Sequence, residues 1–304
     1  MAISAKMVNE LRQKTGAGIM DCKRALQETD GDIDKAVTYL REKGMASAGK
    51  KSTRVAAEGK VEMKVSDDGH VGAVVEVNCE TDFVARSDDF QSFCADLVSR
   101  IVSEGSTNPE DFEEMRKQLV AKTGENVVVR RMERFAIEDG ANGKVEAYQH
   151  MGGKIGVMVQ VNCDSPDATS SDGFSELCRE LAMHVAAANP QYLVKEDVPE
   201  DVVESEKSIY KKQALDQGKP ENVVEKMVEG RLRKWFGEFC LMEQPWVREQ
   251  KMTITKLVKD AESKIGASIE IKRFVRFQLG EGIEKKKEDL AAEVQKQIDA
   301  AKGS

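Results

Sequence analysis

Gly59-Lys60-Val61-Glu62 returns as Gly143-Lys144-Val145-Glu146, 143 − 59 = 84 positions later. At the same offset Gly72 matches Gly156, Val77-Asn78-Cys79 matches Val161-Asn162-Cys163, and Phe90, Cys94 and Leu97 match Phe174, Cys178 and Leu181. One register held over so many positions marks an internal duplication, and the two copies must build the same unit twice. In each copy the apolar residues first alternate and then take helical spacing, which predicts strand, turn, strand and helix. Each copy closes on a further strand. Lys122-x-Gly124 followed by Val127, Val129 and Phe135 parallels Lys264-x-Gly266 followed by Ile269, Ile271 and Phe277, now at an offset of 264 − 122 = 142. The second copy therefore holds 142 − 84 = 58 additional residues between its helix and its last strand.

Most of that surplus lies between about Asn189 and Gly230, where two helical patterns flank Gly218-Lys219-Pro220. Glycine suits the end of one helix and proline the first turn of the next. Val202, Ile209 and Leu215 fall on one side, with Val223, Met227 and Leu232 placed to answer them. An antiparallel helical hairpin over about 186–231 is therefore expected to project from the second copy. Ahead of the duplication, Ser4 and Asp32 stand where helix N-caps belong, while Thr15-Gly16-Ala17-Gly18 and Gly31 interrupt the pattern, so three short helices are predicted. Gly44 to Arg54 is small, polar and basic and reads as a linker. At the far end Ile283, Leu290, Val294 and Ile298 make one stripe of an otherwise charged helix. The expected class is α+β: a three-helix docking module with its linker over 1–54, two related three-stranded antiparallel sheet subdomains with helices over 55–140 and 141–280, and a C-terminal helical module over 281–304.

Composition narrows the chemistry. The 304 residues carry a net charge of −8, unevenly divided: residues 1–54 hold eleven Lys or Arg against seven Asp or Glu, 11 − 7 = +4, leaving −12 for the rest. That balance excludes a general phosphate-binding face, so no direct nucleic-acid contact is expected. Aromatics at 5% are too few for a base-stacking platform. Six cysteines form no Cys-x-x-Cys pair and there are three histidines, which argues against structural zinc and fits reduced, buried thiols in a cytoplasmic protein. No apolar run is long enough to span a membrane, and Met1-Ala2-Ile3-Ser4 does not open a signal peptide. Cys22 has no nearby histidine to act as its base, and His184 lies on an apolar helical face as a core histidine. Gly16-x-Gly18 lacks the Lys-Ser/Thr ending of a phosphate loop. Neither an enzyme nor a cofactor site is expected.

Function is to be sought where the copies differ. After the shared Val-Asn-Cys, the first copy has Glu80-Thr81-Asp82-Phe83-Val84 and the second Asp164-Ser165-Pro166-Asp167-Ala168. A polar, proline-containing tip is an ordinary way to make that turn, whereas a phenylalanine beside an aspartate is not required by it. Two readings compete: Phe83 folds back as a core plug while Asp82 caps the next helix, or Phe83 projects as an anchor for a partner's pocket. Buried aromatic anchors often account for roughly 2–4 kcal/mol of binding on truncation.

The run Glu76-Val77-Asn78-Cys79-Glu80-Thr81-Asp82-Phe83-Val84-Ala85-Arg86 resembles one signature of the elongation factor Ts family, and Arg12, Thr15-Gly16-Ala17-Gly18, Lys23, Ala25 and Leu26 resemble another. Tyr148-Gln149-His150, Met227-Val228-Glu229-Gly230-Arg231 and Gly280-Glu281-Gly282-Ile283-Glu284 are similar to further family stretches, so the likeness spans essentially the whole chain. The resemblance implies a ubiquitin-associated-like N-terminal module and a guanine-nucleotide exchange factor of translation elongation. Its partner would be elongation factor Tu, in the GDP-bound and nucleotide-free states. The resemblance also assigns contacts. Asp82 and Phe83, flanked by Thr81 and Val84, would enter the partner's G domain near the magnesium and phosphate site and release GDP. Ile19 and Met20 would pack on the same domain, with Arg12 and Lys23 in the same module, and Gly124 and His150 fall at further contact positions. Ile19 stands where some relatives have methionine. Self-association through the hairpin is left open.

A second function class competes. The three-helix module alone would suit a ubiquitin-associated-like adaptor or chaperone-type binder, with the duplicated core as a scaffold. The Asp82-Phe83 tip and the full-length resemblance favour exchange, and GDP release from elongation factor Tu separates the two.

Overall fold

A computed structural model describes residues 3–284; most of the expected C-terminal helix, with Leu290, Val294 and Ile298, lies outside the described residues. The chain opens with α1 (Ala5–Thr15), α2 (Ile19–Glu28) and α3 (Ile33–Lys51), which bury Leu11, Cys22, Leu26 and Ala36 between them. Ser4 Oγ accepts from the Met7 amide at 3.3 Å and Asp32 Oδ1 from the Lys35 amide at 3.0 Å, so both predicted caps form. Gly16, at φ 67°, closes α1 in the left-handed conformation. The expected linker is largely helical instead, because α3 runs on to Lys51. Gly44 lies against Ala121, where a Cβ would collide. Its missing side chain lets two helices approach rather than ending one.

Strands β1 (Glu58–Val65) and β2 (Val71–Cys79) lead into the one-turn α4 (Asp82–Ala85), the long α5 (Asp88–Glu104), α6 (Glu113–Thr123) and β3 (Val127–Ala136). The second copy repeats the order with β4 (Asn142–His150), β5 (Ile155–Cys163), α7 (Pro166–Thr169) and α8 (Asp172–Ala188). It then inserts α9 (Glu200–Asp216), α10 (Glu221–Phe239) and a small hairpin of β6 (Pro245–Trp246) and β7 (Glu249–Thr253), before α11 (Ile254–Ile265) and β8 (Ile269–Gln278). The fold is α+β, with antiparallel sheets ordered β1-β2-β3 and β4-β5-β8. Val77 pairs with Lys60 and Val129, and Val161 with Lys144 and Ile271. Even the register shifts coincide, between Glu76 and Val77 and between Gln160 and Val161.

One face of each sheet is covered by its own helices. Phe90, Cys94 and Leu97 meet Ala73, Val75 and Val77 in the first copy, and Phe174, Cys178 and Leu181 meet Val157, Val159 and Val161 in the second. The opposite faces pack on each other. Their shared core is three pairs of duplicates, Val61 with Val145, Val74 with Met158, and Phe135 with Phe277. The joint is reciprocal: the Val61 amide donates to the Gly153 carbonyl at 2.8 Å, and the Val145 amide to the Gly69 carbonyl at 2.8 Å. The two copies are therefore related by an approximate two-fold axis through this core.

Helices α9 and α10 form the antiparallel hairpin, turned at Gly218 with φ 70°. Its seam follows the expected one only in part: Val202, Met227 and Leu232 are half-buried as expected. Ile209, Leu215 and Val223 are exposed, while Ala214 and Val224 are buried. One position along a helix rotates a side chain off the contact line, and the short Ala214 lets the helices close beside the turn. Helix α10 also continues past 231 to Phe239, where the Trp235 and Phe239 ring centroids lie 4.7 Å apart with the rings tilted by 34°.

Candidate functional site

The turn from β2 into α4 is tied down from several sides. Thr81 is the N-cap of α4, its Oγ1 accepting from the Val84 amide at 3.3 Å. The same hydroxyl donates to Glu125 Oε1 at 2.6 Å, and Glu125 Oε2 accepts from the amides of Glu80 at 3.1 Å and Thr81 at 3.0 Å. Glu80 Oε1 in turn accepts from the Asn126 amide at 2.6 Å, and Asn126 Nδ2 donates to the Arg54 carbonyl at 2.8 Å. Beneath the turn the Cys79 thiol donates to the Thr81 carbonyl at 3.2 Å. Burial, reinforced by the Glu125 and Glu58 carboxylates, pushes that thiol up to about 12, so it stays protonated and unreactive.

Val84 packs on the first core and Ala85 is buried, which fixes one side of α4 inward. Phe83 is thereby turned outward and is 83% exposed. It is not a core plug. Asp82 is not the cap either; its carboxylate pairs with Arg86 at 3.0 Å across an exposed surface, an arrangement that a partner's polar group can displace at little cost. The second copy makes the same turn, with Ser165 capping α7 and Ser171 capping α8 as Thr81 and Ser87 cap α4 and α5. Asp167 occupies the place of Phe83 and is exposed. The fold thus presents this position to solvent in both copies, and only the first puts an aromatic ring there.

Helix α2 buries Cys22, Ala25 and Leu26. Ile19, Met20 and Lys23 therefore share its outer surface, with Ile19 52% and Met20 67% exposed, and Arg12 is exposed on α1. The left-handed Gly124 ends α6 and lines a cleft with Thr15, Ala17 and Asp21 of the helical module. Through the α6–β3 turn, then, the module's α1–α2 connection is brought next to the residues that hold Thr81. His150 ends β4, its Nδ1 3.2 Å from the Tyr148 hydroxyl. A chain of contacts runs from its turn to the tip: the Lys60 stem lies against Gly153, Lys60 Nζ donates to Gln91 Oε1 at 2.6 Å, and Gln91 Nε2 donates to the Ala85 carbonyl at 2.5 Å.

Two further residues stand out. Met151, next to His150, is 63% exposed at φ 51°; a methionine before two glycines in a strand turn was its signal. Glu125 grips the tip, and the alanine at its duplicate position, Ala267, marks the difference. Elsewhere the residues are structural. His184 Nε2 donates to Gln244 Oε1 at 2.9 Å and Nδ1 accepts from the Val247 amide at 3.3 Å, which makes it a neutral core histidine. All six cysteines are buried and unbridged. Among the described residues no group of three or more His, Cys, Asp or Glu could hold a metal ion, and no helix is long and apolar enough to cross a membrane.

Comparison with known proteins agrees with these features. The family profile described as Elongation factor TS matches residues 80–281, from the base of the tip to just past the last strand. An elongation factor Ts of Clostridium botulinum (strain Eklund 17B / Type B) is 50% identical, the match covering 97% of this chain and 99% of the relative. That of Symbiobacterium thermophilum is 48% identical over 97% of this chain and 98% of its own length. That of Trichlorobacter lovleyi is 44% identical with the same coverage. The duplicated core, the aromatic tip peculiar to its first copy and these full-length similarities agree: the chain belongs to the elongation factor Ts family of translation elongation factors.

Proposed function

We propose that the chain binds elongation factor Tu and accelerates release of its GDP, with Asp82 and Phe83 entering the partner's G domain near the magnesium and phosphate site. The observation that carries this is Phe83, 83% exposed on a turn whose backbone and cap are held by Glu125. A ring presented on an ordered turn loses little freedom on docking, so its burial adds to binding almost undiminished. Ile19 and Met20, with Arg12 and Lys23, supply a second contact on the helical module, and Gly124 and His150 add further contacts in this reading.

No covalent step belongs to the chain in this scheme. Its effect is a coupling free energy: binding weakens the partner's hold on nucleotide, and nucleotide weakens the complex by the same factor. The chain selects a partner conformation in which the phosphate and magnesium contacts are broken, and GTP reloading then expels it. The cytoplasm, where translation takes place, is the corresponding location.

Release of a fluorescent GDP analogue from elongation factor Tu, with and without the chain, tests the proposal. Acceleration that saturates with the chain's concentration is expected. An unchanged release rate would return the ubiquitin-associated-like adaptor as the better account.

A further inference from the structure

Glu125 carries out a task that its sheet does not require. Its carboxylate takes two backbone amides and one hydroxyl from the tip: Oε2 accepts from Glu80 N and Thr81 N, and Oε1 from Thr81 Oγ1. Because the Thr81 hydroxyl spends its hydrogen on Glu125, it is left with lone pairs for the Val84 amide at 3.3 Å, the bond that caps α4. One side chain therefore sets both the strand exit and the start of the helical turn bearing Phe83.

The second copy is an internal control. The duplicate of Glu125, at 125 + 142 = 267, is Ala267. There the Asp164 amide, duplicate of that of Glu80, donates to the Ser268 carbonyl at 3.2 Å, and Ser165 caps α7 from the Ala168 amide at 3.3 Å without a carboxylate behind it. The turn forms without the grip where its tip bears Asp167, and the grip is present where the tip bears Phe83. The same four-residue turn also reaches the helical module. The Lys122 stem runs beneath Gly16, where a Cβ would collide with it, and Lys122 Nζ pairs with Asp89. Residues 122–125 thus connect the α1–α2 turn with the aromatic tip.

We propose that Glu125 is a positioning residue for nucleotide exchange, holding the Thr81–Phe83 turn in the one geometry that presents the ring to the partner. The proposal rests on the exchange function proposed above. Glu125 touches no nucleotide; it acts through Phe83. Without it the turn still folds, as the second copy does, but samples other arrangements, and the ordering must then be achieved during binding.

The experiment measures GDP release from elongation factor Tu with the full chain and with Glu125→Ala, Glu125→Gln, Phe83→Ala and the Phe83→Ala/Glu125→Ala double variant. Glu125→Gln keeps the volume but cannot accept from all three donors. Both Glu125 variants should lower the maximal rate about tenfold, the effect of losing a charge-assisted grip, while the urea midpoint stays near that of the parent. In the Phe83→Ala background, Glu125→Ala should change the rate by less than about twofold, since neither residue then has the other to act through. A slow Phe83→Ala beside a parental Glu125→Ala overturns the proposal alone, as do multiplying losses in the double variant. Global unfolding of both Glu125 variants overturns it too, by making the carboxylate structural. A parental rate for Phe83→Ala overturns the exchange function assigned to the tip itself.

Discussion

The guanidinium carbon of Arg131 lies 4.3 Å from the centre of the Phe277 ring, so the last strand of one copy is clasped by the last strand of the other. The duplicate pair, Arg273 and Phe135, repeats the contact at 4.2 Å. The symmetry ends at the acceptor. Arg131 Nε donates to Glu76 Oε2 at 2.6 Å, a fully buried carboxylate, whereas Arg273 Nε donates to the neutral Gln160 Oε1 at 2.8 Å. Glu76 also binds Arg130 and the Gly280 amide, and Arg131 reaches the Gln278 carbonyl and Glu281. The first copy thereby clamps the chain as it leaves β8.

That asymmetry gives unequal costs for duplicate mutations. Arg131→Ala should destabilise the chain by about 2–4 kcal/mol, because a buried carboxylate loses one of its two cations and Arg130 must serve alone. Arg273→Ala gives up one bond to a neutral amide and a ring contact, and should cost about 1–2 kcal/mol. Urea unfolding of the two variants compares them directly; equal losses would mean that the clamp contributes nothing beyond the stacking.

The hairpin should be dispensable for folding. The core cluster of the second copy draws on β5, α8, α11 and β8, and takes no residue from α9 or α10. Removing residues 203–228 and bridging with a short flexible linker keeps the Trp235–Phe239 base and the buried Val198. A folded chain that still accelerates GDP release from elongation factor Tu is expected, since the first copy does without any such insertion. A soluble, folded, wholly inactive product would place part of the partner contact on the hairpin.

His184 should make stability fall in mild acid. Burial lowers its pKa, opposed by the hydrogen bond to Gln244. The unfolded chain protonates near the ordinary value of about 6.5. Below that pH the unfolded state takes up a proton that the folded state refuses, so this contribution is complete above about pH 6.5 and is lost as the pH drops. The difference in urea midpoint between about pH 7.5 and pH 5.5 should shrink in His184→Gln, where no imidazole titrates. An unchanged difference would assign the acid sensitivity to other groups.

How much of this was legible in the sequence depended on whether a residue's partner was local or repeated. The caps at Ser4 and Asp32 act within three residues and were plain. The sheet register was plain because the chain states it twice. Gly44 misled because its reason, Ala121, lies 121 − 44 = 77 residues away and has no local trace. The hairpin seam misled only in part, at Ile209, Leu215 and Val223, because helical spacing identifies a stripe but not which of two adjacent residues faces the partner helix. Glu125 was hidden because it acts on backbone amides of residues 44 and 45 positions earlier, which carry no side-chain pattern. The outward setting of Phe83, by contrast, was inferable, since the same turn elsewhere in the chain carries Asp167.

Phe83→Ala is the sharpest test of the site. The ring is 83% exposed and stands where the second copy has an exposed aspartate. Truncation should therefore leave stability within about ±0.5 kcal/mol of the parent, where a buried phenylalanine would cost about 3–5 kcal/mol. Catalysed GDP release should nonetheless slow by roughly thirtyfold or more, the consequence of removing a central aromatic anchor worth about 2 kcal/mol or above. Asp82→Ala should act in the same direction but more weakly, because its carboxylate is already shared with Arg86 at 3.0 Å and one exposed polar contact contributes less than a buried ring. Binding should survive in both, through Ile19 and Met20 on the helical module. Stopped-flow release and urea unfolding of the same preparation separate the two effects. A Phe83→Ala chain that unfolds would make the ring structural, and one that accelerates GDP release at the parental rate would move the site away from this tip.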